Sequence, residues 1–211
     1  MSNSAFSAVV FTAGRTGSHL IKNNLSKYFN SNQVIQTHNP LLELPTANTI
    51  PVISRRRNMF DAITSMIVAS KIDKFHWTQH DATINIAPFN LDVVDFEHSF
   101  VFQTAFYRAI AARNFTNSVE IFYEDILDDS THLFSKFGVK HPIENLLIKS
   151  PYDSNSLITN IDQLQEVYAR LSATGISDSV YEYFITGIED DLADINANHD
   201  GNRYQGKISN K

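Results

Sequence analysis

The sequence predicts an α/β protein, a single domain over residues 1–211 with a central parallel β-sheet flanked by helices. Three observations carry that expectation. Short apolar runs alternate with helix-length amphipathic segments, which implies parallel strands joined by right-handed crossovers. The first run, Ala8-Val9-Val10-Phe11, empties into a turn of small residues and then a helix. A hydrophobic content of 43% in 211 residues is enough for one substantial core.

The elements follow in order. The first strand covers about Phe6 to Phe11. A helix runs from Ser18 to about Phe29, with Leu20, Ile21, Leu25, Tyr28 and Phe29 on one face. Gln33 to Thr37 reads as a second strand, and Leu41 to Asn48 as a loop closed by Pro45. Ile50 to Ser54 is a third strand, in which Pro51 is confined to an early position. Asn58, with Asp61 three residues on, resembles a capping arrangement for a helix through about Ala69. Residues 71–92 are polar and aromatic with little periodicity and read as an excursion or lid on the acceptor side. A helix of about twenty residues follows from Val93 to Arg113, then a fourth strand from Ser118 to Tyr123, with Gly138 stopping the helix behind it. The last third is helical around Asp162–Leu171 and Asp178–Ile195, and about 200–211 reads as a flexible tail.

Charge narrows the function classes. The net charge of -6 argues against a general nucleic-acid binder. It is unevenly spread: residues 1–75 hold eight Lys or Arg against three Asp or Glu, the remainder nine against twenty. A basic N-terminal part inside an acidic chain suggests a small anionic ligand, while Glu189-Asp190-Asp191 reads as a solvated helix face. No apolar run is long enough to span a bilayer, and no charged-then-apolar leader is evident. The lack of cysteine excludes thiolate catalysis, disulfides and zinc–sulfur sites; it fits a cytoplasmic protein in which the sequon Asn114-Phe115-Thr116 is idle.

The segment Phe11-Thr12-Ala13-Gly14-Arg15-Thr16-Gly17-Ser18-His19-Leu20 is the most informative. A strand, a small-residue turn and a helix N-terminus form an anion cradle, because backbone N–H groups converge where the helix dipole is positive. The loop of ATP- and GTP-hydrolysing proteins has Lys then Ser/Thr after its last Gly. Here Ser18 and His19 follow Gly17, and the cation, Arg15, precedes it. Ligands of parallel sheets sit at the C-terminal ends of the strands. Arg15, His38, Arg57 and Glu124 all lie just past a strand end and can share one crevice. No carboxylate cluster has metal-ligand spacing, so no metal is expected.

These residues resemble the sulfotransferases that use 3′-phosphoadenosine 5′-phosphosulfate (PAPS). Thr12-Ala13-Gly14-Arg15-Thr16-Gly17-Ser18 looks like their 5′-phosphosulfate loop. Arg57-Asn58-Met59-Phe60-Asp61-Ala62-Ile63-Thr64-Ser65 is similar to their 3′-phosphate motif, an Arg and a Ser eight residues apart around an Asp. Gln36-Thr37-His38-Asn39-Pro40 and Leu44-Pro45 resemble the segment that holds the catalytic His of the cytosolic members. Phe122-Tyr123-Glu124-Asp125 resembles the Tyr-Glu-Asp strand end, and Leu157-Ile158-Thr159-Asn160 echoes a late segment. The match covers about a third of the chain. It departs at Gln36, where cytosolic members have Lys; at Leu20, where they have an aromatic; and at Met59-Phe60. No Arg-Lys-Gly motif closes the chain, where Arg203 and Lys207 are the candidates.

The resemblance implies a P-loop-like, nucleotide-binding transferase with PAPS as donor, PAP (adenosine 3′,5′-bisphosphate) as product, and a small-molecule or glycan acceptor. Neither nucleic acid nor a membrane is implied as a partner. Arg15, Thr16, Gly17, Ser18 and His19 would hold the phosphosulfate, Arg57 and Ser65 the 3′-phosphate, and Tyr123 the adenine. Spacing to Ser65 selects Arg57 over Arg55 and Arg56. Arg15 would also be catalytic, its planar fork stabilising charge that builds on the transferring group. His38 would be the general base, a role that suits imidazole near neutral pH. Membrane-bound members use a Glu, so His19, His76, His80 and Glu43 are the reserve candidates. Trp77 and Phe75 would line an acceptor pocket. Two rival readings remain: a nucleotide-binding phosphotransferase of related fold, disfavoured by the missing loop Lys, and a non-catalytic PAP/PAPS-binding module.

Overall fold

Four strands form one all-parallel sheet in the order β2-β1-β3-β4, with helices on its faces. The computed structural model describes residues 6–73, 86–143 and 153–197. Phe75, His76, Trp77, His80, Arg203, Lys207 and the 200–211 tail lie outside the described residues. By compactness the chain divides into two units between Ile176 and Ser177.

β1 (Ala8–Thr12) is buried at every residue, as expected of a central strand covered on both faces. Its alternation separates two environments. Ala8 and Val10 join Val34, Val52 and Ile121 under α1 (Ser18–Tyr28), whose Leu20, Ile21 and Leu25 are buried against them. Phe11 points to the other face and meets Phe115, which follows α3 (Val93–Ala112). β2 (Val34–Thr37) pairs with one side of β1, and β3 (Ile50–Arg55) with the other. Pro51 is tolerated within β3 for a geometric reason. Ile50 N–H donates to Ser7 beside β1, so the nitrogen of Pro51 faces the opposite edge, where pairing with β4 (Val119–Phe122) begins only at Val52.

α2 (Met59–Lys71) starts at Asn58, whose side chain accepts the Phe60 N–H. The carboxylate of Asp61 does not complete a reciprocal box; it accepts from Asn155 Nδ2 at 2.9 Å. α2 and α3 pack with α6 (Ile161–Thr174) around Phe60, Ile63, Phe96, Phe100 and Leu164, a second core. The late segment that includes Asn160 fastens this layer: Asn160 takes the Leu91 N–H and donates to the Leu91 carbonyl, both at 3.0 Å. Behind β4 the helix is broken in two, α4 (Tyr123–Asp128) and α5 (His132–Ser135). Asp129 causes the break, since its carboxylate captures the Thr131 N–H and hydroxyl, both at 2.8 Å. Gly138, at φ 74, then ends α5. The second unit contains α7 (Asp178–Ala197).

Among the described residues, no helix is long and apolar enough to cross a membrane. None of their His, Asp and Glu side chains groups in threes that could hold a metal ion.

Candidate functional site

The order β2-β1-β3-β4 fixes where a ligand can enter. From β1 the chain crosses one face of the sheet through α1 to β2; from β3 it crosses through α2 and α3 to β4, on the other side of β1. The connections therefore diverge between β1 and β3, opening a crevice beyond their C-terminal ends. The loop after β1 and the C-terminal end of β3, where three arginines follow one another, border that crevice.

The loop is held by hydroxyls. Thr12 Oγ1 accepts the Gly14 N–H at 3.0 Å and lies 2.7 Å from Thr16 Oγ1. From β3, Ser54 Oγ lies 2.7 Å from Thr16 Oγ1 and 2.8 Å from the Thr16 carbonyl. All three residues are essentially fully buried. The hydroxyl of Thr16 is thus engaged inside the protein, and this residue braces the loop. Tyr107, from α3, adds a fourth brace: its hydroxyl donates to the Ser54 carbonyl at 2.8 Å and accepts from the Ala13 backbone. Burial pushes the Tyr107 phenol up to about 12.

Gly14, Arg15 and Gly17 all have positive φ, at 102°, 53° and 73°. At Gly17 this geometry is indispensable. Its backbone caps α1, and a Cβ there would sit 2.3 Å from Cδ2 of Tyr123. One edge of the Tyr123 ring therefore lies close against the loop where α1 begins. No side chain caps α1, and Ser18, buried at 5% exposure in its first turn, has no side-chain hydrogen bond within the described residues. These open N–H groups are what an anion requires. His19 is exposed on the first turn of α1.

Arg15 turns inward. Its Nε donates to Ser65 Oγ on α2 at 3.1 Å, joining the loop to the neighbouring helix. Burial first, and then the positive charge of Arg56, hold its pKa below the ordinary arginine value. The guanidinium of Arg57 is directed elsewhere: it donates to Asp125 Oδ1 through Nε at 3.1 Å and Nη2 at 2.6 Å and lies over Phe122. That hydrogen bond raises its pKa. The structure thus brings Ser65 together with Arg15, and Arg57 with Asp125. Glu124, the fourth residue expected in the crevice, accepts the Arg57 N–H at 3.1 Å.

His38 follows β2 and reaches β1, where its Nδ1 lies 2.8 Å from the Thr12 carbonyl. A carbonyl only accepts, so Nδ1 carries the proton and, in the neutral ring, Nε2 keeps its lone pair. The residue is exposed, which leaves that nitrogen accessible. Glu43 is also exposed and lies near Arg113, which clamps the Pro40 and Leu42 carbonyls at 2.8 and 2.6 Å. Gln36 buries its amide oxygen without a partner among the described residues.

Ser54, Tyr107 and Arg56 were not singled out by the sequence motifs. Ser54 carries a faint signal, a small polar residue closing an apolar strand. Tyr107 carries none, because its helix is apolar over most of its length. Comparison with known protein families, curated proteins and solved structures finds no match for the chain.

Proposed function

We propose that this protein is a sulfotransferase of P-loop-like architecture that moves a sulfuryl group from PAPS to a hydroxyl or amine of a small-molecule or glycan acceptor. One observation carries the reading. The two segments that resemble the phosphate motifs of that family meet through Arg15 Nε and Ser65 Oγ, beside an uncapped helix N-terminus. Left-handed backbone at Arg15 and Gly17, the Ser18 hydroxyl in the first turn of α1 and the adjoining arginine charges suit a polyanionic nucleotide.

When bound, PAPS supplies an activated sulfuryl group with PAP as its leaving group. Arg15, the backbone of Thr16 and Gly17, and Ser18 and His19 hold its 5′ end. Ser65 on α2 lies toward the 3′-phosphate, and Tyr123 stands beside the loop to meet the base. His38 takes the acceptor proton on Nε2, while the Thr12 carbonyl fixes the ring and stabilises the charge the ring acquires. Arg15 offers a fixed donor fork to the charge that develops on transfer.

Thermal denaturation with PAP and with AMP tests the reading. PAP at a hundred times its dissociation constant adds about 2.7 kcal/mol, a rise of roughly 5–10 °C for a protein of this size, and AMP adds much less. Transfer of labelled sulfate from PAPS to an acceptor panel completes the test. Stabilisation by ATP exceeding that by PAP would indicate a phosphotransferase. Tight PAP binding without turnover would indicate a binding module.

A further inference from the structure

Three consecutive arginines leave β3, and the pleat sends them in different directions. Arg55 stacks on Tyr107 at 4.4 Å and pairs with Glu120 at 3.1 Å. Arg57 is held by Asp125 and its side chain is 59% exposed. Arg56 lies two residues past Ser54, on the side of β3 that faces the loop, and its guanidinium is 5.2 Å from the Tyr123 ring centroid. That same ring is the one packed on Gly17.

We infer that Arg56, rather than Arg57, is the second cation of the anion site, gripping a phosphate jointly with Arg15 across the β1/β3 crevice. Arg56 has no carboxylate partner among the described residues. Among the described residues its Nε is buried without an acceptor, and its only hydrogen bond is a long one, 3.4 Å, to the Asp61 carbonyl. A guanidinium left this way beside another arginine is repelled by it, and an anion between the two relieves both the repulsion and the missing hydrogen bonds. The lowered pKa of Arg15, part of it due to Arg56, reports that proximity. Arg57, by contrast, ties the start of α2 to α4, and recruiting it to a ligand means breaking a two-pronged contact with Asp125.

The inference deepens the proposed function and rests on it for the identity of the anion, as a phosphate group of PAP. Isothermal titration of the full chain with PAP, and separately with inorganic pyrophosphate, tests both. Arg56→Ala is expected to lower PAP affinity about 10- to 100-fold, while Arg57→Ala stays within about threefold of wild type. Arg56→Lys keeps the charge and loses the fork, so it falls between the two. Arg56→Gln, which keeps part of the aliphatic stem and a polar end but no charge, guards against loss of folding and should weaken PAP as Arg56→Ala does. If Arg57→Ala loses PAP while the Arg56 variants bind normally, the inference is overturned and the sulfotransferase reading survives. If the wild type ignores PAP but binds pyrophosphate, and only the Arg56 variants lose it, the inference stands and the sulfotransferase reading falls. A wild type that binds neither anion overturns the inference.

Discussion

Gly17→Ala is the sharpest test of how the loop is built. The residue has φ 73°, ψ 15°, and its absent Cβ would lie 2.3 Å from Cδ2 and 2.8 Å from Cε2 of Tyr123. Two costs follow. Left-handed backbone at a residue with a Cβ costs about 1–2 kcal/mol. The overlap with a ring edge, which cannot swing away like a flexible chain end, costs about 1–3 kcal/mol more. The variant should therefore lose roughly 2–5 kcal/mol, a large share of the stability of about 5–15 kcal/mol usual for a domain. Denaturant titration at constant m-value measures it. A double-mutant cycle with Tyr123→Ala separates the two costs: removing the ring relieves the overlap and leaves the backbone penalty. The pair should thus be less destabilised than the sum of the single variants by about 1–3 kcal/mol. A Gly17→Ala variant within about 0.5 kcal/mol of wild type would refute the loop geometry. Strict additivity would refute the contact with Tyr123.

Other predictions follow from the same contacts. Tyr107→Phe removes the hydroxyl that bridges Ala13 and Ser54 and should cost about 1–3 kcal/mol in a denaturant melt. In the wild type the raised phenol pKa acts with a definite sign: the unfolded chain loses this proton near pH 10 and the folded one near 12. The contribution of Tyr107 is thus complete below pH 10 and lost between about 10 and 12, visible as falling stability in an alkaline series and as delayed tyrosinate absorbance. Ser54→Ala removes the hydroxyl that faces both oxygens of Thr16 and should cost about 1–2 kcal/mol; a neutral result would mean that the buried hydroxyl cluster does not brace the loop. His38→Asn places an amide N–H where Nδ1 donates but provides no base. It should leave melting temperature and PAP affinity close to wild type while turnover falls roughly 10²- to 10⁴-fold, and normal turnover would move the base elsewhere, with Glu43 the next residue to test.

Much of the fold was legible because its signals are local. The strands after Ser7 and Thr49, the helix beginning at Ser18 and the cap at Asn58 are written in short-range apolar periodicity, β-branching and turn chemistry. The break between α4 and α5 was not legible, because the side chain of Asp129 competes with the helix for the backbone N–H groups three-dimensionally adjacent to it. At the site, the sequence marks Arg15, Gly17 and His38 by position after a strand. It does not distinguish among Arg55, Arg56 and Arg57, since three identical side chains in a row carry no directional information, and spacing to Ser65 favoured Arg57. The partners decide their directions, and Glu120, Asp125 and Tyr123 all come from β4 and α4, more than sixty residues further along the chain.

The sequence by itself determined an α/β chain whose first strand runs into a glycine-bearing, cation-bearing turn at a helix N-terminus, because each of those features is set by residues within a few positions of one another. Tertiary structure alone decided that β3 lies beside β1, which puts the arginines across a crevice from the loop and lets Ser54 and Tyr107 brace the loop from behind. Strand order is a long-range outcome. It depends on which faces the crossovers cover, and no local pattern encodes the neighbour a strand will choose.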